Sequence, residues 1–360
     1  MRVVIDAREL CGRRTGVGRY VSELLNAWAA SDRARRHDWT LIAHAPIEGA
    51  GAWPVTTTIV PGSGGTAWEQ MTLPGAVAGS RADVLFAPGY TAPLTVTAPV
   101  VLTIHDVSYF AHPEWFSFRE GTRRRLLTAW SARRARKIIT VSDFSKREIA
   151  RHIGVTNVRV IAHGMKFGAT ARPAGVTGRR ATVLYVASIL KRRRVDRLIA
   201  AFDQVVARVP DARLEIVGEN RTPGLDLDAL RLRSTHADRV TIRSYVDDAT
   251  LSELYRQAGA FVFLSEYEGF GLTPIEALAA GVPPVVLDTE IARETYGDAA
   301  RYVAATASNE EIAAAIANAL TNEDDRRAVL SQLPSLQRRY DWAHAAEATL
   351  TVLEEAALGR

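Results

Sequence analysis

Two glutamates eight residues apart, Glu268 and Glu276, bracket a glycine-bearing turn in the stretch SEYEGFGLTPIEALAAGVP, Ser265–Pro283. An apolar run, Phe261–Leu264, ends just before it. A helical pattern starts near Thr273, with Pro274 in the first turn, where proline costs no intrahelical hydrogen bond. Gly269 and Gly271 let backbone approach a ligand closely. The free N–H groups of Gly271, Leu272 and Thr273 then form an anion site at a helix N-terminus. Glu276, inside the first helical turns, can accept two hydrogen bonds from vicinal hydroxyls such as a ribose presents, while Glu268 faces the group beyond the phosphates. Either glutamate alone could be a solvated or dipole-complementing residue. The whole pattern, in which independent features agree, points to a ligand that joins phosphate to sugar.

Such a turn needs a strand before it and a helix after it, and the chain supplies that alternation throughout. Strand-like runs are Arg2–Ala7, Trp39–Ala45, Val55–Pro61, Asp83–Ala87, Val100–Asp106, Lys137–Ser142 and Val158–His163 in the first half. In the second half they are Thr182–Ser188, Arg213–Gly218, Val240–Val246, Gly259–Ser265, Pro284–Asp288 and Arg301–Val303. Continuous apolar strands alternating with helices predict an α/β protein whose parallel sheets are covered on both faces. Lys166–Arg180, KFGATARPAGVTGRR, reads as a linker by composition. The expected organisation is therefore two Rossmann-like, doubly wound domains, 1–165 and 181–340, joined by 166–180. Ligands of such sheets lie at the carboxyl ends of the strands, so the active site is expected in an interdomain cleft. A last helix, Trp342–Ala357 within 341–360, follows a break expected at Leu333–Pro334.

The chain has 360 residues, 47% hydrophobic and 24% charged, which suits a folded two-domain protein and excludes disordered and fibrous classes. One cysteine, Cys11, cannot form an internal disulfide or a multi-thiolate metal site. The charge-free run Val84–Ile104 contains Pro88, Gly89, Pro93 and Pro99, so it reads as strands and turns, not a membrane span. The N-terminus meets Asp6, Arg8 and Glu9 too early for a signal peptide, and a cytoplasmic protein is expected. Residues 1–165 carry a net charge of +8 and the remainder −3. The excess peaks in Arg119–Lys137, with eight basic residues and one acid. There Leu126, Leu127 and Trp130 share a helical face. Two readings stand: an apolar stripe packed on the core with solvated arginines outside, or a basic amphipathic surface for anionic lipid headgroups. Nucleic acid is not expected, since no aromatic interleaving or recognition-helix signature accompanies the arginines.

The Glu268/Glu276 stretch resembles the E-x7-E signature of retaining glycosyltransferases of the GT-B architecture, specifically glycosyltransferase family 4, and the resemblance extends over nearly the whole chain. It implies two Rossmann-like domains, the N-terminal one binding the acceptor and the C-terminal one holding a nucleoside diphosphate sugar as donor. It implies no cofactor and no metal, and a final helix that crosses back onto the N-terminal domain. Tyr185–Arg194, YVASILKRRR, is similar to the loop in which the family places a basic pair on the diphosphate. That register puts Arg192 and Arg193 on the pair and Ser188 on the small or basic residue before it. The family usually has Lys where Arg193 stands, which leaves open which of Lys191, Arg192, Arg193 and Arg194 reaches the phosphates. Guanidinium groups there would neutralise charge growing on the leaving diphosphate. Thr15–Tyr20, TGVGRY, resembles the family's glycine loop, with Gly16 and Gly18 allowing a close approach to donor or acceptor. His105, which with Asp106 closes the strand Val100–Ile104, matches a histidine the family often sets beside the transferred sugar. A nucleobase is expected near Tyr245 and Val246, and Phe270 lies in the donor turn.

Gly65–Pro74, GTAWEQMTLP, and His105–Phe116, HDVSYFAHPEWF, look like bacterial mannosyltransferases of O-antigen or exopolysaccharide synthesis. That implies GDP-mannose as leading donor, with UDP- and dTDP-sugars also open. It also implies a growing glycan on a polyprenyl diphosphate as acceptor, with peripheral membrane association through Arg119–Lys137. The readings set against this are a sugar-nucleotide epimerase or a non-catalytic sugar-nucleotide-binding relative, and a nicotinamide oxidoreductase. The last is disfavoured because the third glycine of a dinucleotide fingerprint is missing after Gly18. Asp226-Leu227-Asp228 spells the metal-binding D-x-D of another transferase class but sits in a leucine-periodic helix start, and Gly62–Gly65 lacks the spacing of a hydrolase elbow.

Overall fold

Val3, Val4 and Ile5 are all buried, as are Leu85 and Phe86, and Val183, Leu184 and Tyr185. A strand with no polar face needs cover on both sides, and that requirement shapes both halves of the chain. The computed structural model describes residues 1–13, 16–165 and 181–359; the expected linker 166–180 lies outside the described residues. The chain divides into two compact units, Met1–Gly164 with Tyr340–Arg360, and Met165–Arg339.

In chain order the first unit contains β1 (Arg2–Asp6), α1 (Gly16–Ala30), β2 (Asp38–Ala43), β3 (Thr56–Ile59), α2 (Leu73–Gly79), β4 (Val84–Ala87) and β5 (Val100–Thr103). It continues with α3 (Ser108–Ala111), α4 (Phe118–Arg134), β6 (Lys137–Thr140), α5 (Asp143–Ile153) and β7 (Val158–Val160). Its sheet is parallel, ordered β3-β2-β1-β4-β5-β6-β7.

The second unit contains β8 (Thr182–Val186), α6 (Val195–Arg208), β9 (Arg213–Val217), α7 (Leu227–Arg233), β10 (Val240–Arg243), α8 (Asp248–Gln257) and β11 (Ala260–Phe263). Then follow α9 (Leu272–Ala279), β12 (Pro284–Leu287), α10 (Glu290–Tyr296), β13 (Arg301–Val303), α11 (Asn309–Thr321), α12 (Glu323–Leu330) and α13 (Leu333–Arg339). Its parallel sheet runs β10-β9-β8-β11-β12-β13. Numbered within each unit, the strand order begins 3-2-1-4-5-6, the Rossmann order, with its reversal between the first and fourth strands.

The final helix α14 (Trp342–Ala357) belongs to the first unit. Its Ala345, Ala346, Leu350 and Leu353 share a core with Val3, Ile5, Tyr20 and Trp28. Leu350 and Leu353, both fully buried, each contribute roughly 1.5–3 kcal/mol. The Trp28 indole N–H donates to the Ala346 carbonyl at 2.9 Å, and Arg33 pairs with both Glu347 and Glu354.

Every strand read from the sequence forms, most of them ending one to three residues early. One helical expectation needs correction, and one left open is decided. A helix, not a break, begins at Leu333, because Pro334 falls in its first turn, where a missing N–H costs nothing. The face by which α4 packs is also not its apolar stripe. Gly121, Thr128, Ser131 and Ala132 are buried, whereas Phe118, Leu126 and Trp130 are 84%, 47% and 50% exposed. The small face lies close to the body because its hydroxyls have partners: Thr128 bonds the Tyr109 hydroxyl at 3.0 Å, and the Ser131 hydroxyl accepts from the Ala92 N–H at 3.0 Å.

Gly164 is where the chain meets the start of α14. A Cβ at this position would overlap the backbone nitrogen, the Cα and the ring of Trp342. Gly164→Ala is therefore expected to destabilise the first unit by about 1–3 kcal/mol, the usual cost of overpacking, read as a lower denaturation midpoint in urea.

Candidate functional site

In the second unit the loops after β8 and β11 flank the strand-order reversal, and they are tied to each other. The Glu266 N–H donates to the Arg192 carbonyl at 2.9 Å. Arg193 Nε donates to Glu268 Oε1 at 2.7 Å, and another of its nitrogens donates to the Ser188 carbonyl at 2.9 Å. Its guanidinium lies 5.3 Å from the centre of the Phe263 ring. Arg192 Nε stands 3.8 Å from the same Glu268 oxygen and, though buried, has no hydrogen-bond partner. Arg194 is directed elsewhere: it bonds Glu266 Oε1 at 2.5 Å and the Ala305 carbonyl at 2.6 Å. Of the basic residues left open by the sequence, Arg192 and Arg193 are thus the two gathered at Glu268.

Glu268 is largely withdrawn from solvent, its side chain 12% exposed, which by itself would oppose ionisation. The guanidinium groups of Arg193 and Arg192, with hydrogen bonds from Arg193 and from Ser265 at 2.9 Å, outweigh that penalty and hold its carboxyl below the ordinary value. A carboxylate that is ionised at neutral pH therefore sits beside two guanidinium groups. Gly271 follows at φ +86, capping α9, so the first amides of that helix are free of intrahelical partners. Glu276 is half-buried one turn into α9, and its Oε2 accepts from the Tyr255 hydroxyl at 3.3 Å. Phe270 is buried beside Glu268 in a narrow cleft that Ser265, Thr289 and Tyr296 also line. Leu272 and Thr273 are the first two residues of the helix.

Tyr245 and Val246 lie in the segment between β10 and α8, Tyr245 59% exposed and Val246 half-buried. On the same side of the sheet an open depression of about 530 Å3 is lined by Asn220, Leu225, Asp226 and Ile242, among others. Asp226 caps α7, its carboxylate accepting from the Ala229 N–H at 2.9 Å, as the helix-start reading of that segment requires.

The first unit has its own polar cluster at the equivalent reversal, after β1 and β4. Arg8 pairs with Asp6 Oδ2 at 3.1 Å and with Glu69, and the Thr91 hydroxyl donates to Glu69 at 2.6 Å. All three charged side chains are nearly or fully buried. His105, after β5, is buried; its Nε2 bonds the Pro88 carbonyl at 2.8 Å and its ring stacks on His163 at 5.5 Å. A carbonyl only accepts, so Nε2 carries the proton. Burial holds this histidine below its ordinary pKa, so in the neutral ring Nδ1 is the basic nitrogen. Asp106 accepts from the Ser108 N–H at 2.8 Å and the Tyr90 hydroxyl at 3.0 Å, which is a positioning role.

Gly18 opens a helical pattern in the sequence, Gly18–Ala30, and the structure carries that helix back to Gly16, so both glycines of the expected loop lie in the first turn of α1; Thr15 beside them lies outside the described residues. Tyr20, Val21, Leu24, Leu25 and Trp28 are all buried along that helix, which outweighs the modest helix penalty of two glycines. Sequence reading passed over Arg8 with Glu69, Tyr255 with Glu276 and Tyr296 with Gly271, which lie at least 21 positions apart, and also the short-range partners Asp6 of Arg8 and Ser265 of Glu268. Only Thr289 before Glu290, an N-cap signature, could have announced α10 and with it Tyr296.

Residues 14–166 match the family model Glycosyltransferase Family 4, and residues 170–332 match Glycosyl transferases group 1. The chain is 26% identical over 263 residues to O-antigen chain mannosyltransferase B of Escherichia coli, covering 69% of this chain and 68% of that one. It is 28% identical over 255 residues to a GDP-mannose:cellobiosyl-diphosphopolyprenol alpha-mannosyltransferase of Xanthomonas oryzae pv. oryzae, covering 68% and 65%. The chain thus spans about two thirds of the length of these relatives. Among solved structures, sucrose-phosphate synthase from Thermosynechococcus elongatus superposes over the full length of both chains with a TM-score of 0.79 at 18% identity, a likeness of fold.

The Asp6 cluster generates a pH prediction. Burial, opposed by Arg8 and reinforced by Glu69 and Glu9, pushes the Asp6 carboxyl up to about 6. A folded-state value above the unfolded one means that the folded protein holds the extra proton, so this group's contribution falls as pH rises through the window from roughly 4 to 6. Asp6→Asn, neutral at every pH, should match wild type near pH 4 and gain relative stability up to about pH 6.5. Denaturation midpoints measured across that range check it, and a difference that stays flat or shrinks refutes the assignment.

Proposed function

Because the chain belongs to the glycosyltransferases, family 4 in its N-terminal half and group 1 in its C-terminal half with the GT-B fold, we propose that it is a retaining, metal-independent hexosyltransferase. Its donor is GDP-mannose and its acceptor a hydroxyl of a glycan or polyprenyl-diphosphate-linked glycan. The observation that carries the reading is the convergence of Arg192 and Arg193 on ionised Glu268, next to the first amides of α9, which have no intrahelical partner. Two fixed cations and helix amides suit a diphosphate; a carboxylate beside them suits the hydroxyls of the attached sugar. The names of the two relatives support mannose as the sugar, and one of them supports a polyprenyl diphosphate acceptor.

In the transfer, the bond between sugar C1 and the phosphate oxygen breaks while the acceptor oxygen bonds C1 from the same face. The departing phosphate oxygen takes the acceptor proton. Charge on the diphosphate grows as the bond breaks, and Arg192, with Arg193, stabilises it where a metal ion would otherwise serve. Glu268 orients the sugar and supports the positive charge developing at C1, while Glu276 holds the ribose.

The exposed face of α4 supports the peripheral membrane reading. Phe118, Leu126 and Trp130 stand in solvent beside Arg119, Arg123 and Arg124, the arrangement that places apolar groups at a lipid boundary and arginines on headgroups. Among the described residues no helix is long and apolar enough to cross a membrane.

A thermal-shift and turnover panel of GDP-mannose, UDP-glucose, UDP-N-acetylglucosamine, dTDP-rhamnose and NADH tests the donor. GDP-mannose at ~100 times its Kd should add ~2.7 kcal/mol of stability. Glu268→Ala should then lower turnover by at least about a hundredfold, with GDP binding changed far less. Stabilisation by NADH alone, or full activity in Glu268→Ala, would sink the transferase mechanism. For the membrane, Phe118→Ser combined with Trp130→Ser should release the protein from vesicles of anionic lipid in a sedimentation assay; unchanged co-sedimentation would count against the α4 surface.

A further inference from the structure

The turn that opens α9 is held by a residue from the next βα step. Tyr296, the last residue of α10, donates its hydroxyl to the Gly271 carbonyl at 2.9 Å. Its ring is buried and lines the same narrow cleft as Ser265, Glu268 and Phe270. The fit at Gly271 is close: the residue sits at φ +86, and a Cβ there would overlap the Tyr296 hydroxyl. A trans peptide group is planar, so its carbonyl and its N–H point in opposite directions. Fixing the Gly271 carbonyl toward Tyr296 therefore fixes the Leu272 N–H in the opposite direction. Leu272 is the first residue of α9, so that N–H has no acceptor within the helix. A glycine plane not held this way rocks more easily, and a hydrogen bond from the amide beyond it weakens steeply as its angle opens.

We infer that Tyr296 is a positioning residue for the donor: it sets the Leu272 amide on which a diphosphate oxygen rests, and so governs recognition of the phosphates without touching nucleobase or ribose. The inference rests on the nucleotide-sugar reading above. It assigns to α10 a part in donor binding that neither the glutamate pair nor the basic loop supplies.

The test compares phosphate-bearing with phosphate-free ligands. Tyr296→Phe keeps the ring and removes only the hydroxyl, whereas Leu272→Pro removes the amide at a position where proline suits the helix. Isothermal titration of wild type and both variants with GDP, GMP and guanosine, and with UDP, UMP and uridine, separates the contributions. Each variant should bind the preferred diphosphate about tenfold more weakly, the worth of one charge-assisted hydrogen bond, with nucleoside affinity unchanged. The double variant should lose little more than either single one, since both remove the same contact. A merely structural role for Tyr296 would weaken nucleoside and diphosphate alike, or neither, and that outcome overturns the inference while leaving the transferase reading intact. Wild type that binds no nucleoside diphosphate removes both. Hydrogen exchange on the unmutated protein reports independently of whether the variants fold: GDP, or UDP if preferred, should slow exchange at the Leu272 amide and its nucleoside should not. Equal rates with and without the diphosphate would overturn the proposal.

Discussion

A carboxylate taken out of water stays charged only where cations and hydrogen-bond donors replace the water, and Glu268 meets that condition through Arg193, Arg192 and Ser265. The condition reaches back into the fold. Arg192 and Arg193 come from the loop after β8 and Glu268 from the loop after β11, so those strands must be neighbours despite the seventy-odd residues between them. In a sheet built outward from its first strand, that adjacency exists only at the reversal of strand order, where loops leave on opposite sides and open a crevice. The ion pairs, the turn at Gly271 and the capped start of α9 are consequences of one topological choice.

The first unit repeats the topology with a different electrostatic outcome. At its reversal two buried carboxylates, Asp6 and Glu69, share one guanidinium, that of Arg8. One cation does not compensate two desolvated anions, so the proton affinity of Asp6 rises where that of Glu268 falls. The same fold thus places a fixed negative charge in one unit and a group that titrates near pH 6 in the other. Burial opposes ionisation in both; at Glu268 two guanidinium groups and a hydroxyl outweigh it, and at Asp6 a single guanidinium shared with Glu69 does not.

Much of this was legible in the sequence. Apolar runs of four to six residues marked the strands, because a parallel strand buried on both faces cannot alternate polar and apolar positions. The Ser265–Pro283 stretch was legible because strand, turn and helix are contiguous there and each leaves a local signature: glycine at the turn, proline in the first helical turn, glutamate on either side. Lys191–Arg194 was legible as a basic loop, although which arginines face Glu268 was not. Four adjacent residues differ in direction only through the local backbone, and Arg194 is turned away by its left-handed conformation at φ +47.

The amino-acid order alone determined which segments become strands and helices, and where a phosphate-holding turn must lie, because those depend on neighbours within a few residues. It left open whether the apolar stripe of α4 packs or faces out; the structure packs the hydroxyl-bearing face instead, since only the tertiary partners Tyr109 and Ala92 satisfy the buried hydroxyls of Thr128 and Ser131. It started the first helix at Gly18 and left Gly16 in a loop, because the buried residues that extend α1 back to Gly16 act only once the sheet is assembled. The pairings of Arg193 with Glu268, Tyr296 with Gly271 and Arg8 with Glu69 were likewise decided by the folded sheets. Each joins residues at least twenty-five positions apart, and separations of that size carry no local pattern for a sequence to display.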